Sequence, residues 1–461
     1  MHILEENFAE WLAGGGFPLD IAPDARSIFV KAEWLVDHDS QPRFAAMVRS
    51  ERPRPSRNPR RTLVKRLSGV LALVALAFIT TGLTQTATPY VITNDDNPAG
   101  NSASIYSIGS GGALTFITTI PTGGYGRGGG YAAAGRVSIL RSKAQNCAYI
   151  TDALGPNNGR PGDVASIDMS TLRLVGTYPG TALDSGLLWG IGLAENPAAT
   201  FLFAAYSTSG TIATYQQGAD CALTYKSEII SIGANVGSVD GMKVTPNGKY
   251  LIVAYGDASI GSYAINSTTG ALTLVSRYLV TDSGLATGVD ITADGKWALF
   301  GAVSFGTGGE VEVAPIHADG SLGATVGYIP IGQGSNSNNA WLSPDETYVY
   351  ISDNSSGQIT AVPFNAQTGV INKLAACTSA VLKNFNSTWQ LLGNVITTRR
   401  TKLGSPLYAA EWSYTNPGGI AIVDVAVQGG ACRLTETNAS PVADPASDYL
   451  MTVGVDPPRE F

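Results

Sequence analysis

The segment of residues 241–256, GMKVTPNGKYLIVAYG, consists of two apolar runs separated by a turn sequence. Three related segments occur along the chain and start at Gly190 (GIGLAENPAATFLFAAYS), Gly288 (GVDITADGKWALFGAV) and Asn339 (NAWLSPDETYVYISDN). Because Pro, Asn, Asp and Gly favour tight turns, each segment is typical of a β-hairpin. A third strand and a turn such as residues 268–272, TTGAL, follow the hairpin, which gives four strands in about 45 to 50 residues.

Weaker copies of this unit, at residues 135–152 and 391–412, bring the number of complete units to six. Residues 89–121 contain only three strands, and residues 451–457, MTVGVDP, match the first strand of the other units. Four antiparallel strands per repeat are typical of a propeller blade, and pairing the two ends of the chain leaves no open ring edge. The sequence therefore predicts an all-β protein, a seven-bladed β-propeller whose C-terminal strand completes the N-terminal blade.

The composition agrees with this architecture. Of 461 residues, 44% are hydrophobic, only 14% are charged and 54 are glycines, which excludes a disordered or coiled-coil protein. Glycine supplies the turns that many hairpins need. The net charge is −7, and no basic stripe occurs in the repeat region, so nucleic acid is not an expected partner.

The N-terminal part of the chain has the pattern of an export signal. Residues 41–66 are rich in Lys and Arg, and an apolar run follows at 67–83. The sequence RRTLVK at residues 60–65 resembles the twin-arginine export signature. Its cleavage site is weak, so a membrane anchor remains the alternative to a cleaved signal. We therefore expect a periplasmic or extracellular protein, with membrane contact only through an uncleaved signal.

These features divide the sequence into three parts. Residues 1–46 are a disordered extension, or lie upstream of a true start at Met47. Residues 47–87 are the signal or anchor, and residues 88–461 are the propeller. Too few apolar residues occur in 1–46 to form a core of their own.

Four cysteines follow the signal, and an even number in an exported chain predicts disulfides. Cys147 and Cys221 are expected toward the same face of adjacent blades, which favours their pairing. Cys377 and Cys432 are the remaining pair, although their predicted positions lie at opposite ends of fourth strands. Four free thiols are the alternative. The spacing does not match a zinc site.

The pattern in PNGKYLIVAYG and PDETYVYISDN resembles two groups of seven-bladed propellers, the 6-phosphogluconolactonase-like lactonase family and the YVTN-type surface propellers. The resemblance covers residues 88–461 and implies the propeller fold, with lactone hydrolysis as the activity of the lactonase group. Lactonase members carry a Pro-Arg-His-like triplet before several first strands, whereas residues 239–241, 286–288 and 337–339 contain no histidine here. After residue 87 the sequence has one histidine, His317, in a turn expected on the opposite side.

The missing histidines favour a ligand-binding or interaction scaffold. The alternative function is hydrolysis of a sugar lactone or related ester. In either case the ligand is expected to be a small neutral or hydroxylated molecule, and a protein partner is the alternative. The chain is expected to be a monomer.

The loops that precede the first strands of a propeller lie around the mouth of its channel, where ligands usually bind. The candidate ligand-binding residues in these loops are Trp189, Asp240, Thr287, Asn338, Asn339 and Trp389. Amides donate hydrogen bonds to hydroxylated ligands and indole rings stack on them. Weaker candidates for a catalytic role are Asp240, Asn338, Asn339 and Arg127. Packing between blades is the alternative role for the tryptophans.

The loops that join second and third strands lie on the same face and carry further polar residues. These residues are Asp95, Asp96, Asp152, Asp257, Asp353, Asn354 and Glu411. A ring of carboxylates would resemble the Ca²⁺ site of regucalcin-like propellers, with Asp152, Asp257 and Asp353 as weak candidates. Local turn formation is the alternative role. No other cofactor is evident.

Overall fold

The computed structural model describes residues 31–35, 43–47 and 89–456, the last range with gaps. The gaps are residues 127, 129–138, 143–145, 156–161, 181–189, 207–209, 232–238, 258, 280–284, 305–307, 333–336, 354–355, 384–389, 399, 414–417, 447–449 and 451. For some strand residues the description covers the backbone alone. Contacts divide the chain into two compact units, Met1–Gln85 and Thr86–Phe461.

In the first unit, β1 (Lys31–Leu35) and β2 (Arg43–Met47) form an antiparallel pair with Lys31 opposite Met47. The apolar run and the RRTLVK sequence lie outside the described residues, so the export signal stays a prediction. Within the described part of the chain, no helix is long and apolar enough to cross a membrane.

The second unit contains seven antiparallel sheets, which are the blades of a propeller. The chain first forms the three outer strands of blade VII, which are β3 (Tyr90–Asn94), β4 (Ser102–Ile108) and β5 (Leu114–Pro121). Blades I, II and III follow as runs of four consecutive strands. Blade I consists of β6 (Ile139–Arg141), β7 (Cys147–Asp152), β8 (Asp163–Asp168) and β9 (Arg173–Pro179), and blade II of β10 (Gly190–Glu195), β11 (Phe201–Tyr206), β12 (Thr211–Gln217) and β13 (Leu223–Ile230). Blade III consists of β14 (Val239–Val244), β15 (Tyr250–Tyr255), β16 (Ser259–Ile265) and β17 (Leu272–Leu279).

Blades IV, V and VI continue the same order. Blade IV consists of β18 (Leu285–Ile291), β19 (Trp297–Ser304), β20 (Gly308–Pro315) and β21 (Gly327–Gly332). Blade V consists of β22 (Ser337–Leu342), β23 (Tyr348–Asp353), β24 (Gln358–Asn365), β25 (Val370–Ile371) and β26 (Cys377–Thr378). Blade VI consists of β27 (Gln390–Ile396), β28 (Leu407–Ser413), β29 (Gly419–Gln428), β30 (Ala431–Glu436) and β31 (Val442–Ala443). Two short 3₁₀ turns, Ser110–Gly112 and Lys373–Ala375, are the described helical segments.

The last strand, β32 (Thr452–Asp456), pairs antiparallel with β3 and becomes the first strand of blade VII. Tyr90 lies opposite Asp456, and Asn94 lies opposite Thr452. The predicted seven-bladed ring, closed by the two ends of the repeat region, is therefore confirmed.

The hairpin turns follow from their sequence. In the turn between β14 and β15, the Thr245 hydroxyl donates to Asn247 Oδ1 at 2.8 Å, and the Lys249 N–H donates to the same oxygen at 3.0 Å. Gly248 has a φ of 71°, a left-handed conformation that glycine adopts without strain. In the corresponding turn of blade IV, Asp294 takes the place of Asn247, as the repeated T-x-[ND]-G pattern predicts.

The core consists of apolar clusters between neighbouring blades. Alternate residues of a strand face opposite sides, so Leu251 and Val253 of β15 pack toward blade II while Ile252 and Ala254 pack toward blade IV. Each of the seven interfaces has such a cluster among the described residues. The innermost strands of successive blades also contact one another around the ring, and β32 contacts both β27 and β6.

Both predicted disulfides are present, and each joins two neighbouring blades. Cys147 pairs with Cys221 between blades I and II, and Cys377 pairs with Cys432 between blades V and VI. The expectation that the second pair lies at opposite ends is wrong. The outer strand of blade V is interrupted, so that Cys377 lies in a separate short strand opposite Ala361.

Candidate functional site

In every blade the first strand begins, and the second ends, on the same side of the ring, which is called the upper face here. Much of the sequence that leads into the first strands falls in the gaps of the description. Trp189, Trp389 and Arg127 lie outside the described residues, so their roles stay predictions. His317 is exposed in the turn that follows β20, on the opposite side, as expected.

The other predicted ligand-binding residues lie within first strands rather than in the loops before them, and only their backbone is described. Asp240 lies in β14, Thr287 in β18, and Asn338 and Asn339 in β22. Their strands are long enough to include these positions because each strand continues past an irregularity in its pairing.

These irregularities fall at the same place in neighbouring blades. The register shifts between Val239 and Gly241, between Thr287 and Asp290, and between Ser337 and Ala340. Shifts of this kind are β-bulges, which bend a strand and redirect its side chains. The ring therefore brings the predicted residues of blades III, IV and V to one level of the inner wall.

Two glycines allow the inner strands to approach closely at this level. A Cβ on Gly241 would lie 2.6 Å from Gly288 Cα, closer than real Cβ atoms come to a backbone atom. Gly288 itself has a φ of 57°. A side chain at position 241 would therefore force blades III and IV apart beside the candidate site, and one at position 288 would strain the backbone.

A polar network joins the upper ends of blades VII and I. Asn101 Nδ2 donates to Asp152 Oδ1 at 2.6 Å, and the Thr122 hydroxyl donates to the same oxygen at 2.7 Å. Asn94 Nδ2 donates to the Thr151 carbonyl at 2.7 Å. These bonds fix the second strand of blade I against blade VII.

Asp163 completes this network as the residue directly opposite Asp152 in the β7–β8 ladder. Both side chains are at most 1% exposed. Burial, together with the neighbouring Asp152 carboxyl group, raises the pKa of Asp163 to about 10. Burial also raises the pKa of Asp152, although the hydrogen bonds that it receives from Asp163, Thr122 and Asn101 act in the opposite direction.

A second acid pair lies where blades VI and VII meet. Asp95, at the end of β3, accepts hydrogen bonds from Thr93 and from Ser102, the latter at 2.5 Å. Its neighbour Asp444 accepts the Ala446 N–H at 2.8 Å, and the Ser104 hydroxyl is within hydrogen-bond distance of both acids. Burial and the charge of Asp444 raise the pKa of Asp95 to about 8.

Glu411 is a buried acid on the upper part of blade VI. It shares one side of β28 with Leu407 and Ala409, which pack in the interface with blade V. Only 5% of the residue is exposed, and neither oxygen has a hydrogen-bond donor within the described part of the chain. Burial, and to a smaller extent the charge of Glu436, raises the pKa of Glu411 to about 8.

The three metal candidates lie in blades I, III and V and are not brought together. Asp257 forms an ion pair with Arg277 and accepts the Ser259 hydroxyl at 2.6 Å. Asp353, near the end of β23, accepts the Ser356 N–H at 3.3 Å. Among the described residues, no group of three or more His, Cys, Asp or Glu side chains could hold a metal ion.

The sequence interpretation did not single out Asp163, Asp444 or Asn101. Asp163 could have been found by pairing the second and third strands of blade I, because like charges placed opposite one another are unfavourable unless compensated. Asp444 lies 349 residues from Asp95 along the chain, so only closure of the ring brings the two together.

The fold resembles that of solved lactonase structures. A "putative 6-phosphogluconolactonase" from Bacteroides fragilis aligns over 81% of this chain and 99% of its own, with a TM-score of 0.59 and 17% identity. The periplasmic gluconolactonase of Pseudomonas aeruginosa aligns over 80% and 99%, with a TM-score of 0.58 and 13% identity. The chain shares the seven-bladed propeller fold of these structures. No family model and no curated protein matches the sequence.

At these identities the likeness concerns the fold alone. The seven-bladed propeller supplies the upper face and channel at which ligands of such rings commonly bind. Any activity has to be argued from the residues of this chain, because its first strands lack the histidines expected from the family pattern.

Proposed function

We propose that this chain is an exported lactonase-type propeller that binds a small hydroxylated molecule, such as a sugar acid or its lactone, at the upper mouth of the channel. The observation that carries the proposal is the common level of the bulges in the first strands of blades III, IV and V, which contain Asp240 in blade III and Asn338 and Asn339 in blade V. Amide and carboxylate groups gathered around a channel suit a ligand with several hydroxyl groups.

The fixed polar networks on the upper face support this function. Hydrogen bonds hold Asn94, Asn101 and Asp152 in place across the interface between blades VII and I, so the upper ends of these two blades are held in a fixed arrangement. Preorganised polar groups reduce the entropy that binding costs. The two disulfides support export, because such bonds persist in oxidising compartments.

Calorimetry with gluconate, glucono-1,5-lactone and glucose tests binding. The double variant Asn338→Ala/Asn339→Ala is expected to weaken the affinity for the best ligand by about tenfold or more, as the loss of two hydrogen bonds predicts. Asn438→Ala, an exposed turn residue, is the matched control and should bind as the native chain does. No binding of any probe, or unchanged binding by the double variant, would contradict the proposal.

Hydrolysis of the bound lactone is the second candidate, and Glu411 is the observation that favours it. A carboxyl group with a pKa near 8 is mostly protonated at neutral pH and can donate a proton to a leaving oxygen. Because no described group hydrogen-bonds to it, its proton is not committed to another side chain.

A pH-stat assay on glucono-1,5-lactone separates the two candidates. If Glu411 transfers the proton, Glu411→Gln lowers kcat by about 100-fold or more while ligand binding persists. Glu436→Gln keeps the carboxyl group of Glu411 but lowers its pKa, so it should shift the pH profile of the rate without the loss expected for Glu411→Gln. A native chain that binds the lactone without accelerating its hydrolysis rejects the hydrolase and retains the binding protein.

A further inference from the structure

We infer that Lys243 is an anion-binding residue in the channel wall, where it takes the carboxylate of a sugar acid whose hydroxyl groups bind at the upper mouth. The inference rests on the proposed function and deepens it, because it selects an anionic ligand over a neutral sugar. Three residues carry it, one from the first strand of each of blades III, IV and V, namely Lys243, Asp290 and Trp341.

These three residues lie at one level of the wall, below the β-bulges. Each is the last but one residue of its strand, and each follows the irregularity in the pairing of that strand. Since a strand rises about 3.3 Å per residue, Lys243 lies about 7–10 Å further down the wall than Asp240. An extended sugar acid of six carbons spans such a distance, so its carboxylate reaches Lys243 while its hydroxyl groups remain at the upper mouth.

Contacts from two other blades hold the Lys243 side chain in place. Its Nζ donates to Asp290 Oδ1 at 2.9 Å and lies 4.8 Å from the centroid of the Trp341 ring. Trp341 is itself oriented, because its Nε1 donates to the Thr397 hydroxyl at 3.1 Å. A cation that is fixed before the ligand arrives loses less side-chain entropy when the ligand binds.

An ion in the channel meets Lys243 rather than Asp290. The Asp290 side chain has no exposed surface, whereas 21% of the Lys243 side chain is exposed. Strands β10 and β18 flank β14 and β15 lies behind it, so the channel is the side that remains open to Lys243.

The surroundings of Asp290 also reduce its repulsion of a second anion. Its Oδ1 accepts the Ile291 N–H at 2.9 Å, and its Oδ2 accepts the Leu342 N–H at 2.9 Å. Two backbone groups therefore share with Lys243 the stabilisation of this buried carboxylate. The pair keeps a positive end toward the channel and a negative end that is covered by backbone.

A second Lys–Asp pair, in the turn between β18 and β19, provides a matched comparison. Lys296 Nζ lies 2.8 Å from Asp294 Oδ2, and the two side chains are 64% and 41% exposed. This pair lies in a hairpin turn on the lower face, outside the channel wall. Exposed pairs of this kind hold their geometry weakly. Removing the Lys296 charge should therefore leave ligand binding unchanged.

Calorimetry of the full chain at pH 7 with gluconate and with glucitol, its neutral counterpart, tests the inference. Native protein should bind gluconate at least about tenfold more tightly than glucitol, and NaCl between about 50 and 500 mM should weaken gluconate binding only. Lys243→Gln should lower the affinity for gluconate about tenfold or more and change that for glucitol by less than about threefold. Lys296→Gln should bind both as the native chain does.

Two results would overturn the inference and leave binding at the upper mouth standing, namely equal native affinities for gluconate and glucitol, or native affinity for gluconate in Lys243→Gln. Absence of binding of gluconate, glucitol, glucose and glucono-1,5-lactone would reject the proposed function and this inference together. If Lys243→Gln does not fold, Lys243→Gln/Asp290→Asn gives the same test, because it leaves no buried carboxylate without its partner.

Discussion

Glu411 makes the stability of the propeller depend on pH in a predictable direction. In the unfolded chain its carboxyl group has its ordinary pKa of 4.5, whereas burial raises the pKa to about 8 in the folded state. Between these values the unfolded chain loses the proton and the folded chain keeps it. The free energy of unfolding therefore falls as the pH rises from about 4.5 to 8 and levels off above 8.

The pKa difference sets the magnitude of this effect. One pKa unit corresponds to about 1.4 kcal/mol, so the difference between 4.5 and about 8 gives about 3–5 kcal/mol at pH 8. Glu411→Gln removes the titrating group and keeps the size of the side chain. Relative to the native chain, the variant should gain about this amount of stability between pH 4.5 and pH 8.

Urea unfolding of both proteins between pH 4.5 and 9, followed by tryptophan fluorescence, measures the difference. Glu436→Gln is the informative control, because removing this like charge lowers the pKa of Glu411 and should move the upper end of the fall to lower pH. A stability difference between native and Glu411→Gln protein that does not change with pH would refute the reasoning.

Three further predictions concern the ring itself. The first prediction concerns the two disulfides, which span 74 and 55 residues. In urea titrations the double variants Cys147→Ala/Cys221→Ala and Cys377→Ala/Cys432→Ala should each have a free energy of unfolding lower by up to about 4 kcal/mol. The loss should be larger for the first pair, because it is fully buried. A loss below about 1 kcal/mol for both would contradict this. Gly126→Ala should lower the melting temperature because its Cβ would lie 1.9 Å from the Asp96 carbonyl carbon, whereas Gly109→Ala, with its nearest contact at 3.4 Å, should not. Asn394→Ala should lower the free energy of unfolding by about 2–3 kcal/mol, because it removes both side-chain hydrogen bonds to Val453 of the closing strand. Native stability in that variant would show that these bonds do not hold β32.

The strands and the ring closure were predictable because their signals are local. Alternating apolar residues in β15 and the turn residues Asn247 and Gly248 define a hairpin without reference to distant sequence. Counting the repeats of this hairpin unit along the sequence then gives the number of blades. The closing strand was predictable for the same reason, since β32 resembles the first strands of the other units.

The candidate site was predictable only in part, because its contacts are not local. The sequence predicted that Asp240 and Asn338 lie at the mouth of the channel, but it could not show the β-bulges in which the two residues lie. The pairing of Asp95 with Asp444 depends on closure of the ring. The interruption that brings Cys377 to Cys432 depends on how one outer strand ends, which its short sequence does not determine.

The two kinds of inter-blade connection follow from how the ring is assembled. Blades I to VI are each formed from one continuous segment, and covalent bonds join I to II and V to VI. Blade VII combines the two ends of the repeat region, and hydrogen-bonded acid clusters lie on both of its sides, around Asp95 and around Asp152. Polar clusters require an accurate fit, since a buried acid without its partners is costly. If β3 to β5 docked wrongly against blades I and VI, these acids would lose their hydrogen bonds, so the clusters favour the native docking of those strands. The register of the last strand is set separately, by the two hydrogen bonds between Asn394 and Val453.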